Sequence, residues 1–295
     1  MGLLKSRDAV RRAGRAVGAT LVTGAGSGFG REFVRQLVEQ GEEVALWDRD
    51  ADGLDTTCAM AGCARAFRYV VDVRDGHAVR EAAAKTRGEV GPIAAVIHCA
   101  GVLRVGPAEQ VALDDYRQML EVNALGSIHV SLAMVQHLRE AANRGDQGDQ
   151  GDQGGAGREG RRRFGAQKSR VSTLLLVSSV AGLRGFPQLA GYSASKHAVL
   201  GFAQALRDEL AGQNVRVKVL CPPPGDTPMV RNLAKVPPIY RLSRLYSAEE
   251  IVGASLRSLD DPAWISMVDV GSKAMWRLSR WAPSLVDRIV QLAKQ

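Results

Sequence analysis

Four cysteines are spread through 295 residues, Cys58, Cys63, Cys99 and Cys221, and their spacings match no metal-ligand pattern. The five histidines, His77, His98, His129, His137 and His197, are scattered as well. No metal is expected, and the thiols are expected to be reduced, as in a cytoplasmic protein. A continuous apolar stretch of about 18 residues, which a spanning helix would need, is missing too. The core also lacks an excess of positive charge. The formal net charge is +8, but residues 1–18, 143–170 and 271–295 together carry +11, so the remainder sums to −3. A core of that sign offers no footprint for a phosphate backbone, and nucleic acid is not an expected partner.

With 45% hydrophobic residues, the chain can bury a full core, and strand-like and helix-like patterns alternate along it. The expected fold class is α/β, a Rossmann-like doubly wound parallel sheet of about seven strands in a single domain. Candidate strands are Thr20–Val22, Glu43–Leu46, Phe67–Val71, Ala94–His98, Thr173–Val177, Val215–Leu220 and Trp264–Val268. The domain is expected over 19–270, with a basic extension over 1–18 and amphipathic helices over 271–295. Between 143 and 170, Gly-Asp-Gln occurs three times and is followed by Arg161-Arg162-Arg163. That segment is almost without apolar residues and is expected to be a disordered insertion. It enters a strand at its start, the sheet edge away from bound ligands. A basic partner-binding role is the alternative to a tolerated insertion.

Thr23-Gly24-Ala25-Gly26-Ser27-Gly28-Phe29-Gly30 follows the apolar run Ala19-Thr20-Leu21-Val22 and opens a helical pattern with Phe29, Phe33, Val34, Leu37 and Val38. In this context, residues without Cβ let the backbone approach a pyrophosphate, and the free amides of the following helix hold its charge. Farther on, Tyr192 and Lys196 stand four residues apart, so on a helix expected from Ala194 to Leu210 they lie one above the other. A phenol must drop by about three pKa units, roughly 4 kcal/mol, to exchange protons at neutral pH. One cation at about 5 Å is worth roughly 3 kcal/mol at an effective dielectric near 20. Lys196 together with an oxidised nicotinamide ring is expected to suffice.

These segments, with Asp72-Val73, Ala100-Gly101, Asn123 and Ser178-Ser179, make the chain resemble the short-chain dehydrogenase/reductase family over roughly residues 19–270. The resemblance implies an oxidoreductase acting on CH–OH groups, with Tyr192 as proton donor, Ser179 orienting the carbonyl, Lys196 holding a ribose and Asn123 serving a water relay. It implies cofactor contacts from Gly24, Gly26, Ser27, Gly28, Phe29, Gly30, Asp48, Arg49, Asp72, Val73, Ala100, Gly101, Tyr192, Lys196, Pro222 and Thr227. It also implies a homodimer or homotetramer. Two departures stand out. His98-Cys99 replaces two asparagines, so side-chain hydrogen bonds bracing the central strands are expected to be lost, while the largely backbone cofactor contact survives. The segment Cys221-Pro222-Pro223-Pro224-Gly225-Asp226-Thr227-Pro228 replaces the usual proline-glycine and is similar to the ketosphinganine-reductase branch.

Asp48 lies 18 residues after Gly30, near the spacing at which an acid binds the adenosine ribose hydroxyls. It favours NAD over NADP, although the neighbouring Arg49 can accept a 2′-phosphate. Val230, Leu233, Val236, Ile239, Tyr240, Leu242, Leu245 and Tyr246, in a lid-like segment over Met229–Tyr246, point to an apolar, lipid-like or steroid-like alcohol or ketone if they line a pocket. The alternatives are a ketosphinganine-type lipid ketone reductase using NADPH and a non-catalytic dinucleotide-sensing interaction protein. At the C-terminus, Met275, Trp276, Leu278, Trp281, Leu285, Val286, Ile289 and Val290 form an apolar face with Arg277, Arg280, Arg288 and Lys294 nearby. Packing against protein is expected there, with peripheral membrane contact as its rival. The start Met1-Gly2-Leu3-Leu4-Lys5-Ser6 fits a short myristoylation pattern, and the arginine-rich leader loosely resembles a targeting segment.

Overall fold

Apolar runs of five or six residues become strands because both of their faces can be covered, and helix patterns between them supply the cover. The computed structural model describes residues 15–63, 67–144, 170–234, 236–237, 239–240 and 244–292. The strands of the main sheet are β1 Ala19–Thr23, β2 Val44–Asp48, β3 Phe67–Val70, β4 Ile93–His98, β5 Ser172–Val177, β6 Val215–Leu220 and β7 Ile265–Ser266. All pair in parallel, in the order β3-β2-β1-β4-β5-β6-β7. The helices are α1 Gly28–Glu39, α2 Ala51–Ala61, α3 Gly76–Val90, α4 Leu113–Met119, α5 Gly126–Arg144, α6 Ala190–Glu209, the single turn α7 Pro228–Arg231, α8 Ala248–Arg257, α9 Val270–Trp281 and α10 Pro283–Leu292.

Successive strand residues face opposite layers. Leu174 and Leu176 of β5 join the cluster that holds Val130 and Met134 of α5 and Val199 and Ala203 of α6. Leu175 and Val177 join the cluster that holds Phe33 and Leu37 of α1 and Ile251 of α8. This two-fold alternation inside an unbroken apolar run makes the sheet doubly wound. Between β1 and β4 the strand order reverses direction, so a crevice opens where the turns after these two strands diverge, the usual ligand position in such sheets.

Most strand assignments agree with expectation within a residue or two, and the differences have local causes. α6 begins at Ala190, one turn before the expected Ala194. Gly191 lowers helix propensity there, but a Cβ at this position would come within 2.5 Å of Met119 Cε and 2.7 Å of Tyr116 Cδ1. The last strand shortens to Ile265–Ser266 because only Val219 and Leu220 face it. The basic extension is tied down at its end, where Arg15 pairs with Asp260 through two bonds of 2.9 and 3.1 Å. Its first fourteen residues and the segment 145–169, including the Gly-Asp-Gln repeats, lie outside the described residues. The flanks of that segment, the end of α5 and the start of β5, lie at the amino edge of the strands.

Candidate active site

The glycine turn leaves the end of β1 beside the turn that leaves β4. Cys99 N–H donates to Thr23 O at 3.2 Å, and a Cβ on Gly24 would fall 2.7 Å from Ala100 N. Gly24 and Gly28 have φ of 65° and 52°, a region that favours glycine. Gly26 N–H donates to Asp48 Oδ2 at 2.8 Å, and Asp50 N–H donates to Asp48 Oδ1 at 3.0 Å. Each carboxylate oxygen can still accept from a ligand hydroxyl. From below, Arg31 of α1 donates to Gly26 O and to Thr57 Oγ1, and Thr57 Oγ1 donates to Ala25 O at 2.8 Å. A cavity of about 290 Å³ runs over this surface, and Gly24, Gly26, Ser27, Gly28, Phe29, Gly30, Asp48, Arg49, Asp72, Val73, Ala100, Gly101 and Thr227 line it.

The expected loss of bracing between the central strands is corrected by the structure. His98 Nδ1 lies 2.8 Å from Thr23 Oγ1, and the same oxygen accepts Ala100 N–H at 3.3 Å. A hydrogen bond between this hydroxyl and the imidazole therefore joins β1 to β4, with the ring tautomer deciding which group donates. Burial, and then Lys196 nearby, lower the His98 pKa to about 3, so the ring stays neutral. Its Nε2 is buried and has no hydrogen-bond partner among the described residues.

Asn123 stands in a π-helical turn, Leu120–Leu125, between α4 and α5. Such turns recur at functional sites because they re-aim a side chain. Its carboxamide accepts Val102 N–H at 2.7 Å and donates to Val102 O and Ser195 Oγ, both at 2.9 Å. The side chain is thus a brace that fixes the strand-four turn to α6.

Ser179 follows β5 and caps a short turn, accepting Ala181 N–H at 3.1 Å. Burial raises the pKa of the Tyr192 phenol and Tyr240 adds to the rise, while the nearby Ser179 hydroxyl pulls it down. Lys196 Nζ lies 5.8 Å from the Tyr192 ring centre and donates to Val177 O at 2.9 Å. Burial lowers the ammonium to about 8. The ammonium is thus anchored by a carbonyl beside the phenol, the position from which, together with an oxidised nicotinamide ring, it is proposed to lower the Tyr192 pKa.

Ser179, Tyr192, Lys196 and Pro222 line a second cavity of about 340 Å³ that shares Phe29, Cys99, Gly101, Thr227 and Met229 with the first. Its walls are largely apolar, with Leu103, Phe186, Leu189, Ile239 and Tyr240 among them. In the lid-like segment, Val230, Ile239, Tyr240 and Tyr246 line the cavity, and Leu233 packs on the cluster beneath it. Val236 and Leu245 are instead exposed, and Leu242 lies outside the described residues. From the C-terminus, α9 contributes Ser272, Met275, Trp276 and Ser279 to the wall, while Leu278, Val286 and Val290 pack behind it. Sequence reasoning missed Arg184, Phe186 and Leu189, which lie between two motifs without a periodicity of their own. It also missed the bracing residues Thr23, Arg31 and Thr57. Among the described residues no group of His, Cys, Asp or Glu is placed to hold a metal.

A doubly wound sheet with a glycine turn at its switch point and a Ser, Tyr and Lys constellation beside it defines a dinucleotide-dependent oxidoreductase class. The short chain dehydrogenase family model matches residues 18–148 and 165–237, and the chain belongs to that family. It is 34% identical over 217 residues to 1-deoxy-11-beta-hydroxypentalenate dehydrogenase of Streptomyces avermitilis, covering 72% of this chain and 70% of the relative. It is 28% identical over 283 residues to (-)-trans-carveol dehydrogenase of Rhodococcus erythropolis, covering 88% and 90%. The fold is also that of a short chain dehydrogenase from Burkholderia cenocepacia solved in complex with NADP, with TM-score 0.73, 22% identity, and 93% and 98% coverage.

Proposed function

We infer that the chain interconverts an apolar secondary alcohol and its ketone, using NAD in preference to NADP. The observation that carries this is the joining of two cavities through Phe29, Cys99, Gly101, Thr227 and Met229: one is lined by amides and an acid, the other by apolar side chains together with Ser179, Tyr192 and Lys196. The first fits a dinucleotide. Its turn presents backbone at Gly24, Gly26 and Gly28, α1 directs its free amides there, and Asp48 keeps acceptor sites for ribose hydroxyls. A 2′-phosphate would meet the Asp48 carboxylate, and the exposed Arg49 is the counterweight. When bound, the dinucleotide supplies or accepts the hydride.

The chain's own residues manage the proton and the position of the substrate. Tyr192 exchanges the hydroxyl proton, and Ser179, which lines the same cavity, holds the substrate oxygen. Lys196 contributes a ribose contact and a fixed positive charge. Asn123 keeps Val102 and Ser195 in place, which orients α6 and both of its functional side chains. The apolar wall supports a lipid-like or steroid-like substrate, and the family relatives support dehydrogenation of an alcohol. Incubation with NAD or NADP and a panel of apolar secondary alcohols tests this by the appearance of reduced nicotinamide. Reduction of NAD by apolar members is expected; no turnover with any alcohol or ketone would support the non-catalytic, dinucleotide-sensing alternative.

A further inference from the structure

The two faces of α9 meet different surroundings. Met275, Trp276 and Ser279 face the apolar cavity, and Leu278 packs behind it. On the opposite side, Val270, Lys273, Ala274, Arg277 and Trp281 follow the spacing of one helical stripe. All five are exposed, with Val270 at 81% and Trp281 at 89%. After the bend at Ala282, α10 repeats the division. Val286 and Val290 are buried, whereas Leu285 and Ile289, one turn apart, are 48% and 37% exposed beside Arg288. Charge around these apolar groups is predominantly positive: Lys273, Arg277, Arg280 and Arg288 outnumber Asp287, whose carboxylate is held by Arg184 at 2.5 Å, and Asp269, which caps α9 by accepting Ser272 N–H.

We propose that this outer face of α9 and α10 docks on an acidic lipid bilayer surface. Charge selects that occupant over a second copy of the chain. A two-fold pairing through this face would set Lys273 and Arg277 against their own counterparts, whereas anionic headgroups neutralise them. The side chains suit an interface as well. Trp281 places a large ring at headgroup depth, Leu285 and Ile289 reach the acyl boundary, and the long basic stems extend outward to the headgroups. Helices of twelve and ten residues span only about 18 and 15 Å, a length for lying in an interface rather than crossing it. Resting on the reading of the apolar cavity as the substrate site, this placement sets the bilayer against one wall of that site, next to a reservoir of apolar substrate.

Co-sedimentation of the full chain with phosphatidylcholine vesicles, with and without phosphatidylserine, tests the proposal. Binding is expected to acidic vesicles only, to weaken with salt, and to fall about fivefold for each of Lys273→Gln and Arg277→Gln. Trp281→Ala should weaken it further, and Trp281→Phe should abolish most of the blue shift in tryptophan emission on vesicle addition. Turnover of a water-soluble alcohol should be unchanged in all four variants, because none of the three residues lines the cavity. Vesicle binding is read without activity, so its failure leaves the proposed reaction standing, and the converse holds too. No binding to acidic vesicles, or binding insensitive to these substitutions, would overturn the proposal. So would an oligomer that Trp281→Ala dissociates without any vesicle binding, which would assign the face to a second copy.

Discussion

Lys196 Nζ donates to Val177 O at 2.9 Å while lying 5.8 Å from the centre of the Tyr192 ring. The ammonium is therefore fixed by β5 and presented beside the phenol, rather than bonded to it. Its position depends on α6, on which both side chains stand, and on Asn123, which ties Ser195 of that helix to Val102.

Lys196→Met should accordingly harm two properties together. It removes the proposed ribose contact, weakening dinucleotide affinity, and it removes the positive charge that favours phenolate, lowering turnover. Measuring the dinucleotide Kd and kcat in the same variant checks both; a change in only one would assign the lysine a single role.

Asp48→Ala should improve NADP binding relative to NAD, because it removes a carboxylate from the place where a 2′-phosphate must sit and leaves Arg49 free to meet it. The same change releases Gly26 N–H, so absolute NAD affinity should fall. Dissociation constants for both dinucleotides decide the matter. A wild-type preference for NADP would show that Arg49 outweighs Asp48.

His98→Ala should destabilise the fold by about 1–3 kcal/mol, since Thr23 Oγ1 loses its 2.8 Å partner in the interior. His98→Asn, whose carboxamide can donate or accept at Thr23 Oγ1, should lie closer to wild type. Urea unfolding of the two variants gives the comparison, and equal stability of His98→Ala and wild type would contradict the bracing role.

Stability should rise between about pH 7.5 and 9. Burial lowers Lys196 and Lys218 to about 8 from 10.5, so in this interval the unfolded chain binds more protons at these sites, which favours folding as pH increases. Opposing them, burial raises Cys58 to about 11 and Cys221 to about 12, and raises Cys99 as well. Unfolded thiols lose protons first, so their contribution to stability declines above about pH 9. The net gain before that turnover is on the order of 1 kcal/mol. Urea midpoints at a series of pH values check the sign, and a steady fall from pH 7.5 would contradict it.

The sheet was legible because its strands are buried on both faces: Leu174-Leu175-Leu176-Val177 admits few other conformations. The site motifs were legible because glycine turns and residue pairs four apart carry their geometry in the sequence. What stayed hidden depends on contacts between distant segments. His98 looks like the loss of a brace until Thr23 is placed 2.8 Å away. The helix expected from Ala194 begins a turn earlier, where Gly191 packs against Met119 and Tyr116. The apolar residues of α9 and α10 divide between cavity wall, core and exposed stripe, a division that helical spacing alone leaves open.

In the proposed reaction, Tyr192 exchanges the proton while the glycine turn and Asp48 hold the dinucleotide. Tyr192→Phe, measured for dinucleotide Kd and for kcat on an alcohol that the wild type oxidises, tests it most directly. The expected result is a nearly unchanged Kd with turnover lower by about 10² or more; turnover near wild type with the same Kd would contradict the assignment.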